Sequence, residues 1–481
     1  MASTVALLMA CAPGGQLPSP ASAGVSAAAA QSVQGTTGAN WPGASQGDAW
    51  WHAFGDPQLD RLIEEGLAGS PDVAAAAARF RKAAAMAGQS RAALLPALDV
   101  QGAASESRIS TNQGYPDQFK AFLPTGWNDT GQIAAAFSFD PDLWGRQRAL
   151  LRAATSEQEA ARVESQAARL ALASGIAEAY VDLAGLIATR DLRRAAFANR
   201  EASRVLVANR QAHGLDNLAS LRLAESQAAL AGAELAAAEQ AVLVRRHQIA
   251  ALQGQGPDRG LTIADPALAS FSPAPLPETA TTELVYRRPD VIAARARLEA
   301  AAAHVRAARA AFYPAIHLSA LYGVQSLGLN MLFDKDSQFG NATAAFSLPI
   351  FHGGALRAQY GGSRADFEGA VAAYDKAVVG AYQQLADAVT TREAMTRRGA
   401  DVRRALIASE DSLQIARLRY QAGLAGYLEV YNVENQTIAT RIGMVQTEAG
   451  YRSAEIALIR VLGGGYSAIP NATESGKPPH D

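Results

Sequence analysis

Few side chains in this sequence have the types and spacing that chemistry requires. The seven histidines are scattered, with no HExxH string and no other two-histidine spacing that would bind a metal ion. The string His352-Gly353-Gly354 is of the kind that forms an oxyanion hole, but no Gly-x-Ser-x-Gly nucleophile turn accompanies it. A Walker loop and a dinucleotide fingerprint are also missing. The sequence therefore predicts a protein that is not an enzyme, with no metal site and no cofactor.

One residue could carry a covalent modification, the single cysteine Cys11. A short apolar run, residues 5–10, ends in a small residue directly before it, which resembles the lipobox of a bacterial lipoprotein signal. Residues 1–11 are therefore predicted to be a signal that ends at a lipidated Cys11. Ala12 stands where an aspartate would retain a lipoprotein in the inner membrane, so the outer membrane is expected. The alternative is a cysteine without a role in a disordered tail.

The elements of the chain are organised around a very long helical hairpin, residues 145–254, which turns at residues 211–216. Its first arm, residues 146–209, contains no proline, and at about 1.5 Å per residue it would be roughly 100 Å long. In the return arm, apolar residues recur at seven-residue steps, at Leu221, Ala228, Leu235, Val242 and Ile249. This spacing predicts a coiled-coil seam.

The same hairpin occurs twice in the sequence. Residues 214–227 align without a gap with residues 423–436, and Gly254 aligns with Gly463. Upstream matches pair 70–73 with 288–291, Arg91 with Arg309, 95–97 with 313–315, and 137–138 with 346–347. The chain is therefore a tandem duplication, with copies of about two hundred residues, far longer than the units of a short solenoid repeat.

Each copy also contains two segments that predict β-strands. Residues 98–105 alternate apolar and polar side chains, and residues 132–139 place four apolar side chains on one face; the second copy repeats the pair at 316–329 and 343–351. Strands of about ten residues have the length that spans a bilayer in a barrel. An ordinary surface hairpin would look similar. Because four strands cannot close a barrel, a membrane location requires oligomerisation, and three copies would supply twelve strands.

These patterns divide the 481 residues into six segments. They are the signal at 1–11, a flexible tether at 12–48, the first repeat at 49–254, a proline-rich connector at 255–278, the second repeat at 279–464, and a flexible tail at 465–481. Each repeat holds a helix, a strand hairpin and a long helical hairpin. In the first, Asp56 is placed to cap a helix that begins at Pro57. The predicted fold class is mainly α with a membrane β-barrel.

Composition excludes several functions. Hydrophobic residues make up 49% of the chain but aromatic residues only 7%, which favours thin helix seams built from alanine. The formal charge is −2, and no basic stripe with interleaved aromatic residues occurs, so no nucleic acid partner is expected. Beyond the N-terminal run, no stretch has eighteen uninterrupted apolar residues, so a membrane-spanning helix is not predicted.

In combination, these strings resemble outer-membrane efflux lipoproteins of the TolC/OprM type, specifically the NodT-like components of resistance-nodulation-division (RND) pumps. The most specific strings are Asp-Leu-Trp-Gly-Arg at 142–146 and Arg-Arg-Pro-Asp-Val at 287–291. Further matches lie at 50–63, 91–96 and 417–436. Together they cover nearly all of the chain from Trp50 to Gly463.

The resemblance implies a homotrimer with a twelve-stranded barrel through the outer membrane, four strands from each chain, continuous with a long coiled-coil barrel in the periplasm. It implies two protein partners, a periplasmic adaptor (membrane fusion protein) and an inner-membrane RND transporter. Small toxic solutes would pass through the duct without energy input from this chain. One alternative is the outer channel of a type I protein secretion system. Another, from a different class, is a periplasmic coiled-coil scaffold.

The resemblance also implies two sets of site residues on the hairpins. They are adaptor-docking tips at Gly214, Leu215, Gly423 and Leu424, and pore-constriction residues Ser220, Glu429 and Asn432. Glu429 stands where related channels carry an acidic residue, and three copies would form a carboxylate ring. Ser220 is its equivalent in the first copy. The alternatives are a plain helix turn, which also needs glycine, and an ordinary exposed glutamate.

Overall fold

The computed structural model describes residues 49–110, 116, 118, 122–268 and 283–464. The predicted signal with Cys11, the tether at 12–48, the tail at 465–481 and part of the connector lie outside these residues. The helices are α1 (Pro57–Gly69), α2 (Pro71–Ala92), α3 (Arg146–Ala212), α4 (Leu218–Leu252), α5 (Pro257–Leu261), α6 (Glu283–Tyr286), α7 (Pro289–Ala310), α8 (Ala355–Gln421) and α9 (Tyr427–Val461). The strands are β1 (Ala97–Ser107), β2 (Asn128–Phe139), β3 (Ala315–Leu327) and β4 (Gln338–Ser347).

The two long hairpins have the same dimensions. Helices α3 and α8 each contain 67 residues, and their return helices α4 and α9 each contain 35. A helix of 67 residues is roughly 100 Å long at 1.5 Å per residue. The turns contain Gly214 and Gly423 with φ of 72° and 73°, a backbone conformation that favours glycine. The predicted pair of hairpins is confirmed, and equivalent positions can be compared throughout.

The first short helices begin and end where the sequence predicts. Asp56 accepts a hydrogen bond from the Gln58 backbone N–H at 2.9 Å, and Pro57 occupies the first helical position of α1. The chain leaves helical geometry at Ser70 and restarts with α2 at Pro71. The Asp56 cap therefore fixes the start of α1, whose residues Leu59, Leu62 and Ile63 pack in the core beside α3.

The four strands form one antiparallel sheet in the order β1-β2-β3-β4. Both predicted strand hairpins are present, and β2 and β3 join them. The prediction of the last strand at 343–351 was wrong at both ends, since β4 begins at Gln338 and stops at Ser347. Pro349 follows two residues later, and proline has no N–H for the strand ladder.

The repeats of the sequence are not the compact units of the structure. One unit contains Arg81–Ala160 and Arg295–Ala372, and the other contains the described parts of Pro20–Phe80, Ala161–Ala294 and Ala373–Asp481. Each unit therefore takes residues from both repeats. The reason is that strands of the two repeats share one sheet, while both long helices continue from one unit into the other.

Each unit has its own core. In the sheet-bearing unit, side chains of α7 and α8, including Val305 and Phe367, pack together. In the other unit, Trp50 and Leu59 pack on α3 around Tyr180, whose hydroxyl donates to Asp56 at 2.6 Å. Burial and this hydrogen bond raise the pKa of Tyr180, so its hydroxyl remains protonated and acts as the donor.

By length and composition, one helix of the described residues, α3, could cross a membrane. Its apolar window is 56% buried within this chain. Because the core helix of a soluble protein meets the same criterion, this feature by itself does not assign α3 to a membrane.

Candidate functional site

The N-terminus of α3 is held by the side chain of Asp142. Its carboxylate accepts hydrogen bonds from the backbone N–H groups of Gln147 at 2.9 Å and Arg148 at 3.0 Å. Burial alone would raise the pKa of Asp142, but these donors outweigh burial and lower the pKa below its usual value. An ionised carboxylate at a helix N-terminus is stabilising, and aspartate tolerates the positive φ of 46° found here.

Trp144 connects the start of α3 to the second repeat. Its indole Nε1 donates to the Pro314 carbonyl oxygen at 2.6 Å, and its ring stacks on Tyr313 with centroids 4.9 Å apart. Pro314 directly precedes β3. The Asp-Leu-Trp-Gly-Arg string therefore fixes the junction between a long helix and the strand sheet.

The two faces of the sheet differ in polarity. Residues paired across antiparallel strands point to the same face, so the register assigns every side chain to a face. One face has the rows Leu98-Phe137-Ala320-Ala342, Val100-Ala135-Tyr322-Gly340 and Gly102-Ile133-Val324-Gln338. These rows contain one polar side chain and no charge, and Leu98, Val100 and Tyr322 are between 65% and 74% exposed. No other part of the chain that the structure describes covers these side chains.

The opposite face of the sheet is polar. It carries Asp99, Gln101, Gln132, Ser138, His317, Ser319, Gln325, Asn341 and Thr343. An apolar face opposite a polar face is the pattern of strands that separate lipid from a water-filled lumen. Among the described residues, the outer strands β1 and β4 each have one neighbour, so one edge of each is unpaired there.

The turns of the two hairpins share one backbone design. The Leu215 N–H donates to the Arg210 carbonyl at 2.9 Å, and the Leu424 N–H donates to the Arg419 carbonyl at the same distance. Together with the glycine before each leucine, these bonds form a Schellman turn, which satisfies the last carbonyls of α3 and α8. Leu215 is 66% exposed and Leu424 72% exposed. Both predicted tip leucines are therefore largely exposed among the described residues.

A buried charged cluster links the first hairpin to the second. The Arg200 Nη1 atom of α3 lies 2.8 Å from the Glu434 Oε2 atom of α9, and both side chains are nearly inaccessible to solvent. Arg417 binds the other oxygen of Glu434 at 2.9 Å. The Arg200 guanidinium also lies over the Tyr431 ring, 4.4 Å from its centroid. Arg200, Arg417, Tyr431 and Glu434 are called the linking cluster below.

Two further contacts connect the hairpins near the linking cluster. The Tyr431 hydroxyl donates to the Gln227 side chain of α4 at 2.5 Å. Arg210 of α3 lies over the ring of Tyr420 in α8, with 5.3 Å from its guanidinium carbon to the centroid. Burial and the nearby Asp216 carboxylate raise the pKa of Tyr420, so its hydroxyl is neutral at physiological pH.

The predicted constriction residues lie on the first turns of α4 and α9. Glu429 is partly exposed and its carboxylate lies 2.9 Å from the Arg419 guanidinium. Asn432 is exposed, and Ser220 uses its backbone N–H to bond the capping side chain of Asn217 at 2.8 Å. Glu429 is therefore not an isolated carboxylate, because a cation from the end of α8 accompanies it.

Sequence reasoning missed the linking cluster. Arg200 and Glu434 lie on different helices of different copies, and no spacing rule connects such residues. The aligned positions give no signal either, because Glu225 of the first copy looks equivalent to Glu434. In the structure, Glu225 instead pairs with its helix neighbour Arg222 at 2.8 Å.

A solved structure with this architecture is the outer membrane protein VceC from Vibrio cholerae. It is 38% identical to this chain with a TM-score of 0.81, and the match covers 87% of this chain and 99% of VceC. The architecture therefore belongs to the class of outer-membrane channel proteins. The family model described as outer membrane efflux protein matches residues 62–255 and 281–464, and the chain belongs to this family.

Two relatives of known name match this chain over different lengths. The pyoverdine export outer membrane protein OpmQ of Pseudomonas aeruginosa is 30% identical over 470 residues, which are 97% of this chain and 96% of OpmQ. The fusaric acid resistance protein FusA of Burkholderia cepacia is 35% identical over 331 residues, which are 68% of this chain and 61% of FusA. The predicted efflux function, channel class and outer-membrane location are confirmed by these matches and by the family membership.

Proposed function

We propose that three copies of this chain close their sheets into one twelve-stranded barrel and form the exit duct of a tripartite RND-type efflux pump. The observation that carries the proposal is the sheet itself, which has one apolar face, one polar face and two unpaired edges. Unpaired backbone groups cannot face lipid, so β4 of one copy must pair with β1 of the next. The lipid on Cys11 would add a second attachment to the outer membrane.

The hairpin tips are the proposed docking points for the periplasmic adaptor. Leu215 and Leu424 are exposed apolar side chains on rigid turns, as an anchor for a protein partner requires. The adaptor would connect this duct to the inner-membrane transporter, which supplies the energy. The names of OpmQ and FusA refer to small molecules, which favours small solutes over secreted proteins as the cargo.

The contacts between the hairpins are the proposed closure of the periplasmic entrance. Widening the entrance requires the second hairpin to move away from the first. That movement separates Arg200 from Glu434 and Tyr431 from Gln227. Because these contacts are lost on opening, the closed state would be favoured until a partner binds. Glu429 would contribute a carboxylate ring of reduced charge, because Arg419 accompanies each carboxylate.

The internal repeat specifies which residues should meet between neighbouring chains. Within one chain, Ala135 of β2 is paired with Tyr322 of β3. Their equivalents in the other copy are Ala344 of β4 and Ala104 of β1. These two residues should therefore face each other across the proposed interface.

The test is oxidation of a double variant, Ala104→Cys with Ala344→Cys, in outer membranes. Disulfides between strands would convert the chain into a covalent trimer on a non-reducing gel. The matched control is Val100→Cys with Ala344→Cys, which lies on the same face but out of register and should remain monomeric under the same oxidant. Equal cross-linking of both pairs, or none in either, from membrane-inserted protein would contradict the proposed closure.

A further inference from the structure

The second hairpin contains an open groove between α8 and α9. The groove has a volume of about 700 Å³, and its lining includes Met395, Gly399 and Ile407 of α8 and Met444 of α9. Ile407 is 58% exposed, so no other part of the described chain covers this apolar surface. A volume of this size lies in the range of sites for small organic ligands. These residues and the arginines described below define the hairpin groove.

Small residues create the hairpin groove. The positions that match Gly399 and Ala400 in the first hairpin hold Arg190 and Asp191, two larger side chains that bind each other at 2.9 Å, and Arg190 also pairs with Asp265. A side chain at Gly399 would make only ordinary contact, since its Cβ atom would lie 3.9 Å from Thr447. The packing of α8 on α9 therefore does not require glycine at this position.

The rim of the hairpin groove carries a net positive charge. In the first hairpin, Arg194 pairs with Glu239 at 3.1 Å. The matching Arg403 makes no ion pair within the described part of the chain, and neither does Arg452, which replaces Leu243. Both arginines line the groove, together with the single carboxylate of Glu448. Arg404 also lines the groove but pairs with Asp401, so two guanidinium groups without an ion pair in the described chain stand beside an apolar floor.

We propose that the hairpin groove binds a small amphipathic organic anion, with an acyl chain or ring system on the methionines and a carboxylate or sulfonate at the arginines. Methionine side chains adapt to apolar groups of different shapes. Guanidinium groups bind planar or branched oxyanions through paired hydrogen bonds. The positive rim excludes amphipathic cations as the preferred class. This inference does not depend on the proposed duct, because binding can be measured without transport.

The experiment measures the affinity of 8-anilinonaphthalene-1-sulfonate for the full-length chain in nanodiscs of neutral lipid. The uncharged analogue without the sulfonate is measured in parallel. The expected result is that Arg403→Gln with Arg452→Gln weakens binding of the sulfonate about tenfold or more, as for loss of charge-assisted hydrogen bonds. Binding of the uncharged analogue should change less than about twofold, within the range of nearly neutral surface changes.

Two matched variants separate the hairpin groove from general surface binding. Arg194→Gln, the equivalent change in the first hairpin, should leave the affinity for the sulfonate unchanged. Gly399→Arg with Ala400→Asp gives the second hairpin the residues of the first and should abolish the binding that depends on the groove. Each variant is checked for native folding by its circular dichroism and gel mobility before heating.

Three results would overturn the inference. The first is equal sulfonate affinity of the native chain and the Arg403→Gln, Arg452→Gln variant. The second is equal weakening by Arg194→Gln. The third is sulfonate binding only after removal of residues 465–481, which would assign the hairpin groove to the tail of this chain.

Discussion

The two helical hairpins have identical lengths but differ in the polar contacts of their side chains. Both turn through the same glycine and leucine, and both return as helices of 35 residues. In the first, the positions equivalent to Gly399 and Ala400 hold Arg190 and Asp191, which pair with each other. In the second, these positions line the open hairpin groove, and Glu434 is buried against an arginine of the first hairpin.

The comparison shows which features the two copies of the helix pair share and which differ. Helix length and turn geometry are the same in both copies, whereas the seam differs, with Ala228 and Val242 matched by Thr437 and Tyr451. The positions of charged side chains are less constrained by the backbone, so the copies differ there. The second hairpin therefore carries Glu434, the buried carboxylate that connects it to the first hairpin. Substitutions at equivalent positions of the two hairpins test this difference directly.

The largest expected effect is at Glu434. Glu434→Ala leaves Arg200 buried without its partner, which should destabilise the linking cluster by about 3–5 kcal/mol. The matched change Glu225→Ala removes a partly exposed pair within α4 and should cost less than about 0.5 kcal/mol. Hydrogen exchange of peptides around residues 200 and 434 measures both. Equal effects of the two changes would mean that Glu434 does not hold the hairpins together.

The next effect concerns the cap that only the first hairpin has. Asp142 bonds two backbone N–H groups at the start of α3, whereas the equivalent residue before α8 is Phe351. Asp142→Ala should destabilise the junction by about 1–2 kcal/mol, as measured for the loss of helix caps. The midpoint of thermal unfolding should fall, and an unchanged midpoint would contradict the capping role.

The contribution of Asp142 should also depend on pH. Because its pKa is lower in the folded chain, its stabilisation is complete above the ordinary aspartate pKa and is lost as pH falls through the lower folded value. The stability difference between the native chain and Asp142→Asn should therefore shrink in acid. Thermal unfolding from neutral pH to about pH 3 tests the sign. A stability difference that grows in acid would contradict the lowered pKa of Asp142 in the folded chain.

A smaller effect is expected at the turns. Asn217 caps α4 by accepting from the Ser220 N–H, while Gly426 at the equivalent position of α9 provides no side-chain cap. Asn217→Ala should destabilise the first tip by about 1 kcal/mol, and Gly426→Asn should stabilise the second by a few tenths. Hydrogen exchange at the two tips should change in opposite directions.

The smallest effect should come from Glu429. Its pair with Arg419 is exposed to solvent, so Glu429→Gln should change stability by less than about 0.5 kcal/mol. In channels, Glu429→Gln should lower the cation preference slightly, and Arg419→Gln should raise it by freeing the carboxylate. Reversal potentials at low salt measure both signs. The same direction for both variants would exclude an electrostatic role for this pair.

The sequence was sufficient for features that depend on local chemistry. The proline-free arms, the cap at Asp56 and the turns at Gly214 and Gly423 follow from residue types and spacing, and the structure contains each of them. The end of β4 was misplaced because the apolar residues beyond Ser347 look like a strand, although Pro349 cannot join one. The linking cluster and the hairpin groove were not found, because they depend on side chains from separate helices meeting in space.

The most direct test is the single-channel conductance of the purified native chain, Glu434→Ala and Glu225→Ala in planar lipid bilayers. A duct held shut by contacts between its hairpins should give small, brief openings for the native chain and for Glu225→Ala. Glu434→Ala should give larger and longer openings. Equal conductance of the native chain and Glu434→Ala would contradict the closure, and no channel from folded, membrane-inserted protein would contradict the duct itself.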